Sequence, residues 1–335
     1  MLILGLESSC DDTSVAFLEI TDNGEITILA EKTTSQIAVH AAYGGVVPEI
    51  AGRCHAEAIV PLIETVLAGK KPEVIAVTAG PGLVTGLVVG VTAAKTLSYL
   101  WNIPLVAVNH IAGHAASVLL AKENLLTSSF EFPAICLIVS GGHTELLLMK
   151  SPTEFALIGK TRDDAAGECF DKVAKLLGLD YPGGPKISAL AKTGNPTAIN
   201  FPRPMLDQDN FDFSFAGLKT AALYYLRDNK LENINDFCAS FEQAIVDVLV
   251  EKTLRAVKKY NPKQVILAGG VAANPRLRHG FDEQAKINSL KVLVPNLSYT
   301  SDNGAMIAVA SYFLARAKKF TRWQDIKVDP NWTVY

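Results

Sequence analysis

Apolar residues open the chain as a continuous run at 2–6, give way to the polar stretch Glu7-Ser8-Ser9-Cys10-Asp11-Asp12-Thr13, and resume over 14–20. The pattern predicts a strand, a turn and a second strand. About 130 residues later it returns: 135–139 is apolar, Ser140-Gly141-Gly142-His143-Thr144 is small and polar, and 146–149 is apolar again. Two related lobes are the simplest explanation of such a repeat. Behind each hairpin, strands alternate with helices. Residues 48–67 read as an amphipathic helix, 74–78 as a buried strand, 83–100 as a helix and 105–108 as a strand. The second half continues with helices around 165–177, 237–260 and 305–319 and a strand at 265–268. This alternation predicts α/β layers in each lobe. The stretch 181–215, rich in Pro, Gly and Asn, reads as loops with one short helix at 187–192 and is expected to line a cleft.

Composition narrows the class. At 335 residues the chain exceeds the usual single-domain length of roughly 100 to 200, in keeping with two lobes. With 49% hydrophobic and 19% charged residues, it either buries extensively or carries an apolar surface that a partner covers. Net charge is -3, and the basic residues are scattered, with pairs at Lys70-Lys71 and Lys258-Lys259 and a loose group at Arg276, Arg278 and His279. Composition alone therefore gives no nucleic-acid footprint. Five cysteines without a CxxC pair indicate a reducing compartment, and Cys136 lies in an apolar run where a small hydrophobe suffices. The N-terminus turns acidic within a few residues and reads as neither a signal peptide nor a membrane span. The longest apolar run, 80–94, contains Pro81 and four glycines and falls short of the about 20 residues a bilayer requires. A cytoplasmic protein is expected.

Four features carry chemistry. In His110-Ile111-Ala112-Gly113-His114, a spacing of four on a short helix puts both imidazoles on one face, suited to two ligands of one metal ion. One packed and one capping histidine would fit the pair equally well. Position 111 lacks the Glu that a HExxH protease uses as general base, which removes the main support for a peptidase. A third ligand should be hard and anionic, and Asp302 in Ser301-Asp302-Asn303-Gly304-Ala305 is the candidate, although an Asp there is also an ordinary helix cap. Ser140-Gly141-Gly142 and Ala268-Gly269-Gly270 each follow a strand, where paired glycines let backbone amides approach a phosphate or ribose. One such pair is more often a tight turn, whereas two make a nucleotide site the better explanation. Glu7, Asp11 and Asp12 would repel one another unless a metal, a cation or an amine shares their turn, or unless the turn is simply solvated. Gly80, Gly82, Gly86 and Gly90 form a small-residue stripe that lets another helix pack closely; with no Lys-Ser or Lys-Thr directly following a glycine, they are not a phosphate loop.

Taken in order, the blocks GLESSCDDTS, YGGVVPEIAGR, TAGPGLVTGL, NHIAGH, LIVSGGHTEL, DDAAGECFDK, LLGLDYPGGP, FDFSFAGLKT, AGGVAANPRLR and SDNGAMIA resemble the bacterial TsaD family, the tRNA adenosine threonylcarbamoyltransferases long described as glycoproteases. The resemblance covers nearly the whole chain. It implies an α/β, two-lobed actin-like fold of the sugar-kinase, Hsp70 and actin kind, with duplicated lobes and an interlobe cleft. The lobes would be 1–130 and 131–335, with the last helix, about 302–320, able to pack back on the first. It further implies that His110, His114 and Asp302 hold one iron or zinc ion, and that Ile138, Val139, Ser140, Gly141, Gly142, Asp171, Gly184 and Asn274 bind an adenylate, with Ser188 on the same loop. The implied reaction moves a threonylcarbamoyl group from threonylcarbamoyl-AMP to the exocyclic amine of the adenosine beside the anticodon in tRNAs reading ANN codons. Asp11 is the expected catalytic residue, removing a proton or positioning the amine. Implied partners are a TsaB-like paralogue, paired through helices 48–67 and 83–100, a TsaE-like ATPase and tRNA, with a separate synthase making the intermediate and no membrane. Three rivals remain in view: a small-molecule kinase of the same fold, disfavoured by imidazole ligands; a metalloprotease; and a non-catalytic scaffold.

Overall fold

The computed structural model describes residues 1–121 and 130–335. The chain forms two compact units, one from Met1–Glu131, Ser151–Glu154 and Pro295–Tyr335, the other from Phe132–Lys150 and Phe155–Val294.

In the first unit, β1 (Leu2–Glu7) and β2 (Asp12–Ile20) pair antiparallel with Leu6 opposite Val15, and β3 (Ile26–Ser35) extends the sheet beyond β2. A short helix α1 (Ile37–Ala41) and a long helix α2 (Pro48–Leu67) lead to β4 (Val74–Gly80), which runs parallel to β1. Helix α3 (Val84–Trp101), strand β5 (Leu105–Asn109) and helix α4 (His110–Ala116) follow, and the sheet order is β3-β2-β1-β4-β5. Every residue of β4 is buried, as expected for an inner parallel strand covered on both faces.

The second unit opens with β6 (Ala134–Val139) and β7 (Thr144–Ser151), antiparallel with Val139 opposite Thr144, and adds β8 (Glu154–Lys160). After α5 (Ala166–Leu176), α6 (Gly183–Ala191), α7 (Ala216–Asp228) and α8 (Ile234–Tyr260), β9 (Gln264–Ala268) runs parallel to β6. Helix α9 (Pro275–Asn288) and strand β10 (Lys291–Leu293) complete the order β10-β9-β6-β7-β8. Read from the opposite edge, this is the order of the first sheet, so the duplication seen in the two hairpins extends to all ten strands. The last helix, α10 (Gly304–Arg316), belongs to the first unit, where it packs against β1, β2 and α4. Helix α10 is buried on nearly every side, in keeping with its almost wholly apolar sequence.

Several elements depart from the pattern-based expectation. The short helix expected at 187–192 begins four residues earlier, at Gly183, because Pro182 precedes its first turn and Asp171 accepts the Gly183 N–H at 2.7 Å. The helix expected at 83–100 forms within one residue of those bounds, but it outruns the apolar stretch 80–94, which by itself is too short for a bilayer. Helix α3 continues to Trp101, and its 18 residues are long and apolar enough to cross a membrane by length and composition. Its glycine-bearing face packs instead against the β1–β2 turn: a Cβ at Gly86 would lie 2.3 Å from the Ser8 carbonyl oxygen, and one at Gly90 would lie 2.4 Å from Ser8 Oγ. The small-residue stripe therefore seats a turn rather than a partner helix.

Candidate metal centre

Strand β5 delivers the histidine pair. It ends at Asn109, whose Oδ1 accepts the Ile111 N–H at 2.9 Å and starts α4 at His110. One turn on, His114 stands edge to face with His110, ring centroids 4.6 Å apart. Asp302 reaches them from just before α10. Asn303 is the cap of that helix, accepting the Met306 N–H at 2.8 Å, so Asp302 has no capping duty. Its Oδ1 lies 3.5 Å from His110 Nε2 and 3.2 Å from His114 Nε2, and one donor atom from each of the three residues falls within 4.8 Å of the others.

Two glycines set that approach. The Gly304 N–H donates to Ser14 Oγ at 2.9 Å, and a Cβ on Gly304 would lie 2.6 Å from the Ala16 nitrogen. Opposite it on β1, a Cβ on Gly5 would sit 2.2 Å from the Gly304 carbonyl oxygen. Helix α10 thus starts in direct backbone contact with the sheet, and Asp302 is carried in with it.

Glu7 supports the pair from beneath. Its buried carboxylate accepts the Ser9 N–H and the Thr78 hydroxyl, both at 2.6 Å, and His110 Nδ1–H at 3.1 Å. Burial alone would raise the Glu7 pKa, but the charge and hydrogen bond of His110 hold it below the usual carboxylate value. Burial likewise pushes His110 down, and the charges of Asp302 and Glu7 outweigh it, raising His110 to about 9. With Nδ1 donating to Glu7, His110 Nε2 is the nitrogen directed at Asp302.

The donor set fits a metal. Among the described residues, both ring nitrogens of His114 are buried without a hydrogen-bond partner, since the Asp302 oxygen at 3.2 Å is out of alignment for one. A buried imidazole left this way costs about 1–3 kcal/mol, which a coordinate bond would offset. Two imidazoles and one carboxylate suit iron and zinc alike.

The three turn carboxylates do not share one site. Glu7 faces His110, whereas Asp11 is half-buried and stands outside the triad, its carbonyl accepting the Gln36 N–H at 2.9 Å. Asp12 opens β2, and burial, reinforced by the charge of Asp11 against the pull of Ser35, raises its pKa to about 7. His55 of α2 pins this turn, pairing with Thr13 Oγ1 at 2.7 Å and donating to the Cys10 carbonyl at 2.9 Å.

In the second unit, the residues expected at an adenylate gather where β6 and β9 end. Ser140 accepts the Gly167 N–H at 3.2 Å, which brings the start of α5 to the glycine turn. Gly141 and Gly142 are exposed, with open space where side chains would be. Gly269, at φ +93°, passes so close to Val139 that a Cβ would meet its carbonyl oxygen at 2.4 Å. Ile138 and Val139 are fully buried, backbone included. Asp171 binds the Gly183 amide next to Gly184, and Ser188 lies one turn along the same helix. Asn274 Nδ2 donates to Glu242 Oε1 at 2.6 Å and reaches Ser188 Oγ at 3.4 Å, while its Oδ1 caps α9 through the Leu277 N–H. Buried Glu242 in turn accepts Arg276 Nε at 3.0 Å. Sequence reasoning passed over Glu242 and noted Arg276 only within a loose basic group; an acid in a largely apolar stretch of α8 was the available signal.

The family described as "TsaD: tRNA N6-adenosine threonylcarbamoyltransferase" matches residues 27–309. The chain belongs to the TsaD family. Among curated relatives, the tRNA N6-adenosine threonylcarbamoyltransferase of Listeria welshimeri is 50% identical over 320 residues, covering 92% of this chain and 90% of its own. That of Kosmotoga olearia is 47% identical over 326 residues, covering 96% of each chain. Among solved structures, HypF of T. kodakarensis aligns with 97% of this TsaD-family chain and 49% of its own at TM-score 0.62 and 15% identity. The activator of 2-hydroxyisocaproyl-CoA dehydratase from Clostridium difficile aligns over 95% of this chain and 97% of its own at TM-score 0.54 and 14% identity. These likenesses agree with an actin-like fold.

Proposed function

We propose that the chain transfers a threonylcarbamoyl group from threonylcarbamoyl-AMP to the exocyclic amine of the adenosine beside the anticodon in tRNAs reading ANN codons. Family membership supports the activity, and the observation that carries the chemistry is the His110, His114 and Asp302 cluster with its unpartnered His114 nitrogens. These three side chains would hold one iron or zinc ion. Bound there, the ion would supply a Lewis acid for orienting the threonylcarbamoyl group.

The residues divide the remaining work. An adenine amine is a weak nucleophile because its lone pair is delocalised, so the reaction needs orientation, a place for the proton and a stabilised leaving group. Glu7 holds His110 in the tautomer that presents Nε2 to Asp302. Asp11 takes the proton from the attacking amine or positions it. The amides of Gly141 and Gly142, with Asp171, Gly184 and Asn274, hold the adenylate; as the new carbamoyl nitrogen–carbon bond forms, the bond to the AMP phosphate oxygen breaks.

For partners, the reading takes a TsaB-like paralogue on the α2–α3 face, a TsaE-like ATPase and tRNA, in the cytoplasm. The α2–α3 groove, lined by Glu49, Gly52, Arg53, Ala56, Val84, Thr85 and Val88, offers an apolar surface of the right kind. The test is reconstitution with the partner proteins, threonine, bicarbonate, ATP and unmodified ANN-reading tRNA, with the nucleoside read by mass spectrometry. Modified adenosine is expected from the wild type and not from His110→Ala. Absence of product with active partners, or full activity in that variant, would overturn the reading.

A further inference from the structure

Basic and aromatic side chains far apart in sequence converge on one end of the first unit, where α3 and α10 finish. Tyr99 and Leu100 close α3 and are 62% and 65% exposed. Beyond α10 the chain reads Lys318-Lys319-Phe320-Thr321-Arg322-Trp323, with Phe320 46% and Trp323 36% exposed. Trp323 packs on Tyr99 with ring centroids 4.9 Å apart, and Lys71 Nζ stands 5.9 Å over the Trp101 ring.

This surface is both charged and held in place. Arg316 and Arg322 are paired with Asp22 and Asp325. Among the described residues, Lys70, Lys71, Lys318 and Lys319 have no ion-pair partner, so four positive charges stand without a neutralising group. The Thr321 N–H donates to the Leu105 carbonyl at 2.8 Å, and Ile326 is buried in the core of the first unit. The segment between is therefore presented by anchored backbone.

Unpaired lysines around open aromatic faces are what a flexible polyanion with exposed bases recognises: the cations displace counterions from phosphates, and the rings take unstacked bases. A protein partner would favour an apolar centre depleted of lysine. We infer that Lys70, Lys71, Tyr99, Lys318, Lys319 and Trp323 form an RNA-binding surface that grips the acceptor tRNA away from the adenosine being modified. This rests on the reading that the acceptor is a tRNA. Helix α10 starts beside Asp302 and is about 20 Å long, so contacts at its far end supply affinity and not chemistry.

The experiment uses the full chain with its partner proteins and unmodified tRNA. Direct binding is titrated over a range of salt for wild type, for Lys318→Glu with Lys319→Glu, for Trp323→Ala, and for a charge-matched control, Lys258→Glu with Lys259→Glu. The first double variant is expected to bind at least tenfold more weakly, with a salt slope about two smaller. Its KM for tRNA rises while kcat at saturating tRNA and metal content stay unchanged. Trp323→Ala weakens binding with the salt slope retained, and the control binds like wild type. Unchanged tRNA affinity and slope in the 318/319 variant would overturn the proposal, as would loss of partner assembly in that variant with RNA binding intact. Because binding is read without turnover, a wild type that binds tRNA but modifies nothing would refute the transferase reading and leave this surface standing.

Discussion

Glu7 and His110, 103 positions apart, meet at 3.1 Å, and through that bond a carboxylate that is no part of the triad decides which imidazole nitrogen faces it. Glu7→Gln keeps the shape and removes the charge. Metal affinity is expected to fall about 10- to 100-fold, the usual effect of losing a partner that orients a ligand. Titration against a chelator of known affinity measures it.

His114→Ala removes the ligand whose nitrogens have no other partner. Metal content per chain, read by mass spectrometry of the purified protein, should fall from about one to near zero while the fold persists, because among the described residues the imidazole has no hydrogen-bond partner to lose. Retention of a full complement of metal would remove His114 from the centre.

Asp12 gives a pH signature. Its folded pKa of about 7 lies above the unfolded value of 3.8, so the folded state binds the proton more tightly. The stability this contributes is complete below pH 3.8 and is lost as pH rises through about 7. Asp12→Asn should therefore gain stability relative to wild type on going from pH 5 to pH 8, as checked by urea denaturation at both; parallel behaviour at the two pH values would count against the buried carboxyl.

Glu242→Ala should cost about 2–3 kcal/mol, since Arg276 and the Asn274 amide both lose their acceptor. Adenylate affinity should fall with it, because Asn274 is then held only by its cap bond and the long contact to Ser188 Oγ. Glu242→Gln, which keeps one acceptor oxygen but turns an NH2 toward the other donor, should recover only part of the stability in denaturant titrations.

Val88→Glu tests the groove between α2 and α3. Val88 is 46% exposed, so a charge there is tolerated by the fold and should abolish association with a TsaB-like partner in size-exclusion chromatography. Bulk at Gly86 is not an equivalent test. That position is buried against Ser8 and His55, and a side chain there would displace the site turn itself.

The two hairpins, the helix over 48–67 and the histidine pair were legible because each leaves a strong local trace: a continuous apolar run, a 3.6-residue period, or a spacing of four. Strand β3 left none, its outer half being exposed at the edge of the sheet. Helices α7 and α9 bury only Leu218 with Ala222 and Leu277 with Phe281, too few apolar positions to stand out as a stripe. Asp302 could be named as a candidate hard anion but equally as a helix cap, and only the family resemblance joined it to the histidines, since its meeting with His114 depends on α10 packing against a sheet formed some 290 residues earlier. Glu7 was singled out with Asp11 and Asp12, but the bond that separates it from them is a product of the fold. The convergence of Lys71, Tyr99 and Trp323 was likewise invisible, because charge that is scattered along a chain can be dense in space.

The return of α10 to the first unit also bears on the order of events at the ribosome. The opening 131 residues emerge without the helix that covers β1 and β2, and without Asp302. The glycine faces of Gly5 and its strand stay bare until the whole second unit has been translated. The nascent first unit is thus an open sheet with an uncovered apolar side for most of synthesis, and the metal site matures last, as the seam that joins the beginning of the chain to its end.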